Sequence, residues 1–271
     1  MRKSIEIIKG SNSRKILIDI NFPEKSNSKL VVFSHGFKGF KDWGCFDLLA
    51  KNFTQNGFTF LKFNFSHNGT TVSDPLNFTD LEAFGNNNFS KELNDLGFVL
   101  DWVENYLDIS DISLLGHSRG GGISILKAGE DNRVSRVISW ASPSNFLKRM
   151  PEDRIEIWKE KGVAFIYNGR TKQNMPLYFQ FYTDCMENIN RLNIEKSVRS
   201  LQIPHLIIHG DSDPTVDIKE AEDLHKWNPD SKFIIFKDAD HVFGGYHPFS
   251  EDVLPHFLQL AVDYTIEFIS Q

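Results

Sequence analysis

The sequence predicts an α/β fold, in which helices cover both faces of a mostly parallel sheet and a helical cap is inserted after the middle of the chain. Short apolar segments typical of strands alternate with longer segments of helical periodicity. Polar motifs follow several of these apolar segments, as expected where a site assembles at the carboxyl ends of parallel strands. A length of 271 residues suits one domain with a modest insertion, so we assign residues 1–271 to a single domain with residues 142–200 as the cap.

The predicted elements follow one another in a regular order. Apolar or alternating residues predict strands at 5–9, 15–20, 30–34, 58–63, 112–115, 134–139, 206–210 and 233–236. We expect the first two of these strands to form an antiparallel pair. Apolar residues at helical spacing predict the buried faces of a helix before residue 112 and of a C-terminal helix, namely Leu93, Leu96, Leu100, Val103 and Leu107, and Phe257, Ala261, Tyr264 and Phe268.

The cap is predicted because nearly sixty residues lie between 142–144 and 201–204, where a short crossover would suffice. Residues 155–159 and 177–182 predict helices within it. The cap holds ten Lys and Arg against seven Asp and Glu, an excess that either favours an anionic substrate group or marks a solvated helical surface. Its aromatic residues would either line a pocket or pack the cap onto the sheet, and they are Trp158, Phe165, Tyr167, Tyr178, Phe179 and Tyr182.

The most informative motif is Gly-x-Ser-x-Gly at residues 116–120, with Ser118 at its centre. A predicted strand precedes the motif and residues 123–128 can continue it as a helix, which is the context of a nucleophile elbow. In such an elbow the serine sits on a strained turn, and the two glycines let strand and helix approach closely. The sequence therefore predicts Ser118 as a nucleophile whose hydroxyl projects beyond the sheet edge.

A base and an acid follow Ser118, each directly after a predicted strand. His241 follows the strand at 233–236 and would take the serine proton and return it to the leaving group. Asp213 follows the strand at 206–210 and would hold the imidazole in the required tautomer. Asp211 is the competing acid, although it is also suited to capping the turn or the next helix. Asp240 is too close to His241 in sequence to orient it.

The turn after the strand at 30–34 predicts an oxyanion hole. Its residues His35, Gly36 and Phe37 present a backbone N–H, which we expect to be that of Phe37. The second donor would be the N–H of Arg119, the residue after the nucleophile. Two preorganised donors of this kind would each stabilise the transition state by about 3 kcal/mol. His35 itself is expected to be a structural side chain under the loop.

These motifs together resemble the serine α/β-hydrolases, specifically the carboxylesterase and dienelactone-hydrolase-like group near the prolyl-oligopeptidase-type hydrolases. The resemblance covers almost the whole chain and is carried by residues 35–37, 116–120, 210–213 and 240–243. It implies an α/β-hydrolase fold, a triad of Ser118, Asp213 and His241, and an acyl-serine intermediate. Dienelactone hydrolases proper carry a cysteine nucleophile and haloalkane dehalogenases an aspartate, so the serine here favours acyl transfer from esters and leaves the substrate open.

Composition excludes several other classes of function. The net charge of −6 and the lack of a basic run argue against a nucleic acid or an anionic membrane as partner. No metal-binding motif or glycine-rich phosphate loop is present in the sequence, so we expect no metal and no cofactor. The two cysteines lack metal spacing, no apolar signal core opens the chain, and no stretch is long enough to span a bilayer, so we expect a cytoplasmic protein.

The predicted function is the hydrolysis of a small-molecule carboxylic ester by a serine hydrolase. One alternative is a peptidase or amidase of the prolyl-oligopeptidase type, although the large N-terminal propeller of that family is missing. The other alternative is a non-catalytic binding protein with the same fold. Such proteins typically lose a triad member, whereas this sequence has all three.

Overall fold

The computed structural model describes residues 2–149 and 154–271. In the described part of the chain the strands are β1 (Arg2–Lys9), β2 (Lys15–Phe22), β3 (Lys29–Ser34), β4 (Thr59–Phe63), β5 (Asp111–His117), β6 (Val134–Trp140), β7 (Val163–Asn168), β8 (Gln173–Tyr178), β9 (His205–Gly210) and β10 (Lys232–Phe236). The α-helices are α1 (Phe46–Gln55), α2 (Leu81–Gly85), α3 (Phe89–Tyr106), α4 (Arg119–Glu130), α5 (Ile155–Lys161), α6 (Gln180–Glu187), α7 (Ile194–Ser200), α8 (Ile218–Trp227) and α9 (His256–Ser270).

Eight of the strands form one sheet in the order β1-β2-β4-β3-β5-β6-β9-β10. From β4 to β10 every neighbouring pair in this order is parallel, whereas β1 with β2 and β2 with β4 are antiparallel. Parallel strands need crossover connections, which α1, α3, α4 and α8 supply. The predicted mostly parallel sheet with a leading antiparallel pair is therefore confirmed.

Helices cover both faces of the sheet, as predicted. The central strand β3 shows why, because its side chains alternate between two buried clusters. Leu30 and Val32 pack with the apolar faces of α3, α4 and α8, whereas Val31 and Phe33 pack with those of α1 and α9. None of the described helices is both long and apolar enough to cross a membrane.

The segment predicted as a helical cap, residues 142–200, contains a β-hairpin as well as helices. Its first predicted helix is present as α5, but the helix predicted at 177–182 begins only at Gln180. Leu177 and Tyr178 end β8, which pairs antiparallel with β7 in a separate two-stranded sheet. The cross-strand partners Val163 and Tyr178 are fifteen positions apart, so the local pattern could not reveal the pairing. The last helix of the segment, α7, packs against α4 and α8.

The sheet brings four loops to one edge. The parallel strands β3, β5, β9 and β10 all point the same way, so the residues that follow them emerge together at their carboxyl ends. These are the turn at 35–40, the start of α4 at Ser118, and the loops that carry Asp213 and His241. The fold thus gathers residues that are far apart in sequence.

Candidate active site

Ser118 lies on a sharp turn between β5 and α4. Its backbone has φ 56° and ψ −125°, a left-handed conformation that costs free energy for a residue with a Cβ atom. The turn is fixed on both sides, since the Ser118 N–H donates to the Trp140 carbonyl and the Ser118 carbonyl accepts from the Gly121 N–H, both at 2.8 Å. This is the predicted strand–serine–helix arrangement.

The two glycines of the motif are required by close approach of the backbone. A Cβ atom on Gly116 would lie 2.1 Å from the Gly120 carbonyl oxygen, and one on Gly120 would lie 2.2 Å from that of Ser34. Both distances are far below van der Waals contact, and the clashing atoms belong to the backbone and cannot rotate away. The motif therefore encodes the packing of α4 against β3 and β5.

Ser118, His241 and Asp213 form a continuous series of hydrogen bonds. The His241 Nε2 atom is 3.0 Å from the Ser118 Oγ, and its Nδ1 atom is 2.7 Å from the Asp213 Oδ2. Because a carboxylate only accepts, Nδ1 donates to Asp213 and leaves Nε2 able to accept the serine proton. The His241 side chain is 14% exposed and that of Asp213 is fully buried, so solvent reaches the base but not the acid.

The Asp213 carboxylate is held ionised by several donors. Its Oδ1 atom accepts the N–H groups of Thr215 and Val216 at 2.7 and 2.9 Å. Burial alone would raise the pKa of Asp213, but hydrogen bonds from His209, His241 and the Val216 amide hold that pKa well below its usual range. A permanent negative charge therefore lies behind His241.

The two competing aspartates accept backbone N–H groups. The Asp211 Oδ1 atom accepts the Asp238 N–H at 2.6 Å. The Asp240 Oδ1 atom accepts the N–H groups of Val242 and Gly244 at 3.2 and 2.8 Å. Of the three acids considered from the sequence, the structure brings only Asp213 to His241. Asp211 thus joins the loop after β9 to the loop after β10, whereas the N-cap of the next helix, α8, is Asp217.

Two further histidines contact the series of Ser118, His241 and Asp213, and the sequence motifs did not identify either of them. The His117 Nε2 donates to the His241 carbonyl oxygen at 2.8 Å, and burial lowers the pKa of His117 to about 3, which keeps it neutral. The buried His209 Nε2 donates to the Val216 carbonyl oxygen at 2.8 Å and is 3.3 Å from the Asp213 Oδ2. In the sequence, His117 occupies a variable position of the elbow motif and His209 lies within a predicted strand. No sequence pattern therefore indicates a contact of either residue with the site.

The turn after β3 lies directly against the serine. A Cβ atom on Gly36 would come within 3.0 Å of the Ser118 Cβ and 3.5 Å of the Ser118 Oγ, so the backbone of this turn is packed against the serine. Arg119 is the first residue of α4, where amide groups point out of the helix N-terminus. His35 is buried beneath the turn, and its Nδ1 donates to the Gly36 carbonyl oxygen at 2.9 Å. Phe37 and Arg119, whose N–H groups are the predicted oxyanion donors, line the same cavity as Ser118.

Ser118 and His241 open into a cavity of about 1000 Å³. The turn after β3 and the start of α4 form one side of it, and the 142–200 segment forms much of the other. Of the six aromatic residues selected from the sequence, Trp158 and Phe165 line the cavity, and Phe146 and Phe181 of the same segment line it as well. Phe179 and Tyr182 pack against the core, and the Tyr178 hydroxyl donates to Glu82. Tyr167 is exposed and does neither, so each sequence interpretation holds for only some of these residues.

One group of carboxylates in the described residues is close enough to hold a metal ion: Asp19, Asp42 and Asp47. These acids already have counter-charges, since Lys41 pairs with Asp19 and Asp42, and Lys62 pairs with Asp42 and Asp47. The group is thus an ion-pair network built on β2, β4 and α1.

Comparison with known proteins identifies the fold. The sequence model of a family described as "alpha/beta hydrolase fold" matches residues 146–248. Nothing among the curated proteins matches the chain. The chain has the α/β-hydrolase fold, as its sheet order and covering helices also show.

Solved structures of low sequence identity share this fold over nearly the whole chain. Est1E from Butyrivibrio proteoclasticus is 17% identical with a TM-score of 0.71, and the alignment covers 98% of this chain and 97% of that one. An esterase domain of a Rhodothermus marinus protein is 20% identical with a TM-score of 0.62, covering 90% and 91%. The esterase Pf2001 from Pyrococcus furiosus is 16% identical with a TM-score of 0.65, covering 99% and 92%.

Proposed function

We propose that the protein is a serine hydrolase that cleaves carboxylic esters of small molecules through an acyl-serine intermediate. The observation that carries the proposal is the series Ser118, His241 and Asp213, joined by hydrogen bonds of 3.0 and 2.7 Å at the wall of a cavity. A serine hydroxyl needs an adjacent base to become a nucleophile, and the base needs an orienting acid.

In the first half of the proposed reaction, the Ser118 Oγ attacks the ester carbonyl carbon while the His241 Nε2 takes the hydroxyl proton. The N–H groups of Phe37 and Arg119 stabilise the negative charge that develops on the carbonyl oxygen. When the tetrahedral intermediate collapses, the bond to the alcohol oxygen breaks and His241 donates its proton to that oxygen. The acyl group remains on Ser118.

In the second half, water attacks the acyl carbon and His241 takes a proton from it. The bond to the Ser118 Oγ then breaks and His241 returns the proton to the serine. Asp213 stays ionised throughout and stabilises the transient imidazolium. The proposed chemistry uses no cofactor and no metal. In this scheme residues 1–271 act as one domain, with residues 142–200 as a cap over the serine.

Several observations favour an enzyme over a non-catalytic binding protein. Binding alone does not require the strained backbone of Ser118, with φ at 56°, or a base 3.0 Å from its hydroxyl. The esterases among the structural neighbours make the same activity plausible here. The narrower grouping near dienelactone hydrolases and prolyl-oligopeptidase-type enzymes stays a prediction from the sequence motifs.

The test is hydrolysis of short p-nitrophenyl esters by a Ser118→Ala variant. We expect hydrolysis to fall to the uncatalysed background, while the midpoint of urea unfolding stays unchanged. Ser124→Ala is the matched control, because Ser124 is buried in α4 and its Oγ makes no hydrogen bond, so its loss should leave activity intact. Undiminished hydrolysis by Ser118→Ala would overturn the proposal. A parallel panel of peptides and amides would separate an esterase from a peptidase.

A further inference from the structure

Four basic side chains line the cavity in front of Ser118. Lys38, Arg119, Arg154 and Lys161 all contribute to its wall. No Asp or Glu is among the lining residues in the described part of the chain. Because the whole protein has a net charge of −6, this concentration of basic side chains runs against the overall balance.

Arg119 is held in a fixed position beside the nucleophile. Its guanidinium carbon lies 3.9 Å from the ring centre of Phe37, 4.9 Å from that of Phe89 and 5.5 Å from that of Phe181. On its buried side, one guanidinium nitrogen is 3.3 Å from the Glu92 carboxylate. Rings and carboxylate together orient a planar cation that suits recognition of a carboxylate or a phosphate. The side chain is still 14% exposed, and the cavity is where it meets solvent.

Lys38 adds a second positive charge on the same side of the cavity. It lies on the turn after β3 with φ 55°, and its Nζ is 6.0 Å from the centre of the Phe37 ring. No carboxylate of the described residues pairs with it, and partial burial lowers its pKa. An ammonium that is partly removed from water without a counter-charge is unfavourable, so a bound anion would offset that cost.

The wall opposite Lys38 and Arg119 is mostly apolar, with Arg154 and Lys161 at the two ends of α5. The hairpin and α5 contribute aliphatic and aromatic side chains, including Ile157, Trp158, Val163, Phe165 and Ile166. Ile157 and Phe165 are 52% and 62% exposed, so an apolar surface extends to the mouth of the cavity. A ligand that matches both sides must therefore be amphipathic.

We infer that the substrate is an ester with an apolar body and a separate anionic group, a carboxylate or a phosphate, which Lys38 and the Arg119 guanidinium bind. The inference rests on the proposed function and deepens it. The apolar body lies against the hairpin and α5, and the ester carbonyl lies at Ser118. An anion bound by Lys38 and the Arg119 guanidinium also restrains the carbonyl at Ser118, because one substrate chain joins the two groups.

The test compares two p-nitrophenyl esters of suberic acid that differ only at the far end. One ends in a free carboxylate, and the other ends in its neutral methyl ester. We expect the wild-type protein to favour the anionic ester in kcat/KM by about tenfold at low ionic strength, with the preference shrinking at high salt. A third ester of the same length, ending in a phosphate, distinguishes the two possible anionic groups.

Lys38→Gln removes one positive charge from the cavity without changing the backbone. We expect this variant to lower the anionic-to-neutral ratio of kcat/KM by about fivefold, as for a partly exposed charge pair. Lys226→Gln is the matched control, since Lys226 is an exposed residue of α8 that does not line the cavity. A ratio near unity in the wild type, or equal ratios in the two variants, would overturn the inference.

A binding measurement tests the anion site independently of whether the protein hydrolyses esters. The Ser118→Ala protein is titrated with monomethyl suberate and with neutral dimethyl suberate, and the two dissociation constants are compared. Tighter binding of the anion, weakened by Lys38→Gln, would support the anion site even if no ester were cleaved. Equal binding of both compounds would overturn the inference even if the esterase activity were present.

Discussion

The His209 imidazole and the Asp213 carboxylate are 3.3 Å apart in the buried layer behind His241. The same His209 Nε2 donates to the Val216 carbonyl oxygen at 2.8 Å, so one side chain ties together both ends of the loop that carries the acid. The loop after β9 is therefore positioned from inside the sheet.

Replacing His209 tests whether this contact positions the acid. In His209→Phe the hydrogen bond to the Val216 carbonyl and the 3.3 Å contact with Asp213 are lost, so the 213–216 loop is held less firmly. The kcat should then fall by about tenfold to a hundredfold with little change in KM. His209→Gln keeps an N–H donor of similar reach and should recover most of the loss. The measurement is steady-state ester hydrolysis. A His209→Phe protein with wild-type kcat would show that the loop does not depend on this contact.

Asn substitutions distinguish the two candidate acids. Asp213→Asn removes the charge behind His241 and allows the wrong tautomer, so kcat should fall by about four orders of magnitude. Asp211→Asn should change kcat little, because an amide oxygen can still accept the Asp238 N–H that Asp211 accepts at 2.6 Å. Comparable losses in both variants would contradict the assignment of Asp213.

Glycine substitutions test the packing of the elbow. A Cβ on Gly120 would lie 2.2 Å from the Ser34 carbonyl oxygen, so Gly120→Ala should lower the free energy of unfolding by at least about 3 kcal/mol. Gly169→Ala is the control, since a Cβ there would meet nothing within 4 Å. Denaturant unfolding monitored by fluorescence measures both. Equal stability of the two variants would mean that α4 can move away from β3 at little cost.

Buried neutral imidazoles should make the fold sensitive to acid. Burial lowers the pKa of His35 to about 4 and that of His117 and His205 to about 3. Below pH 6.5 these histidines become protonated in the unfolded chain but stay neutral in the folded protein. The free energy of unfolding therefore falls as the pH drops from about 6.5 towards these pKa values. Each such histidine should lower the free energy of unfolding by about 2 kcal/mol between pH 6.5 and pH 5.

His205→Gln isolates one of these contributions. The His205 Nε2 is 3.0 Å from the Ser139 Oγ, a contact that glutamine can also make, but glutamine does not titrate. Urea unfolding at pH 7 and pH 5 should show a smaller loss of stability in the variant than in the wild type, by about 2 kcal/mol. Identical losses would mean that His205 takes up a proton in the folded protein.

The sequence contained enough information to predict the sheet and the grouping of Ser118, Asp213 and His241, because both depend on short local patterns. Buried strands such as β9 are continuous apolar runs, and the residues of the candidate triad directly follow strands or their turns. The mostly parallel sheet with helices on both faces is confirmed. The positions of Ser118, Asp213 and His241 bring them within hydrogen-bond distance, as their motifs had suggested.

What could not be predicted depends on contacts between distant parts of the chain. The pairing of β7 with β8 overrode the helical pattern at 177–182, and helix α6 starts only once the hairpin has ended. The contact of His117 with the His241 carbonyl joins residues 124 positions apart, and no local spacing encodes it. The basic residues that line the cavity likewise come from distant parts of the chain. Lys38 and Arg119 lie far in sequence from Arg154 and Lys161 of the 142–200 segment.

The most direct test of the central claim, that Ser118 is an activated nucleophile, is labelling with a fluorophosphonate probe followed by peptide mass spectrometry. The wild-type protein should carry the probe on Ser118, because His241 can take the hydroxyl proton at a distance of 3.0 Å. Ser118→Ala should carry none, and Asp213→Asn should react far more slowly. An unlabelled wild-type protein, or a probe attached to another residue, would contradict the account.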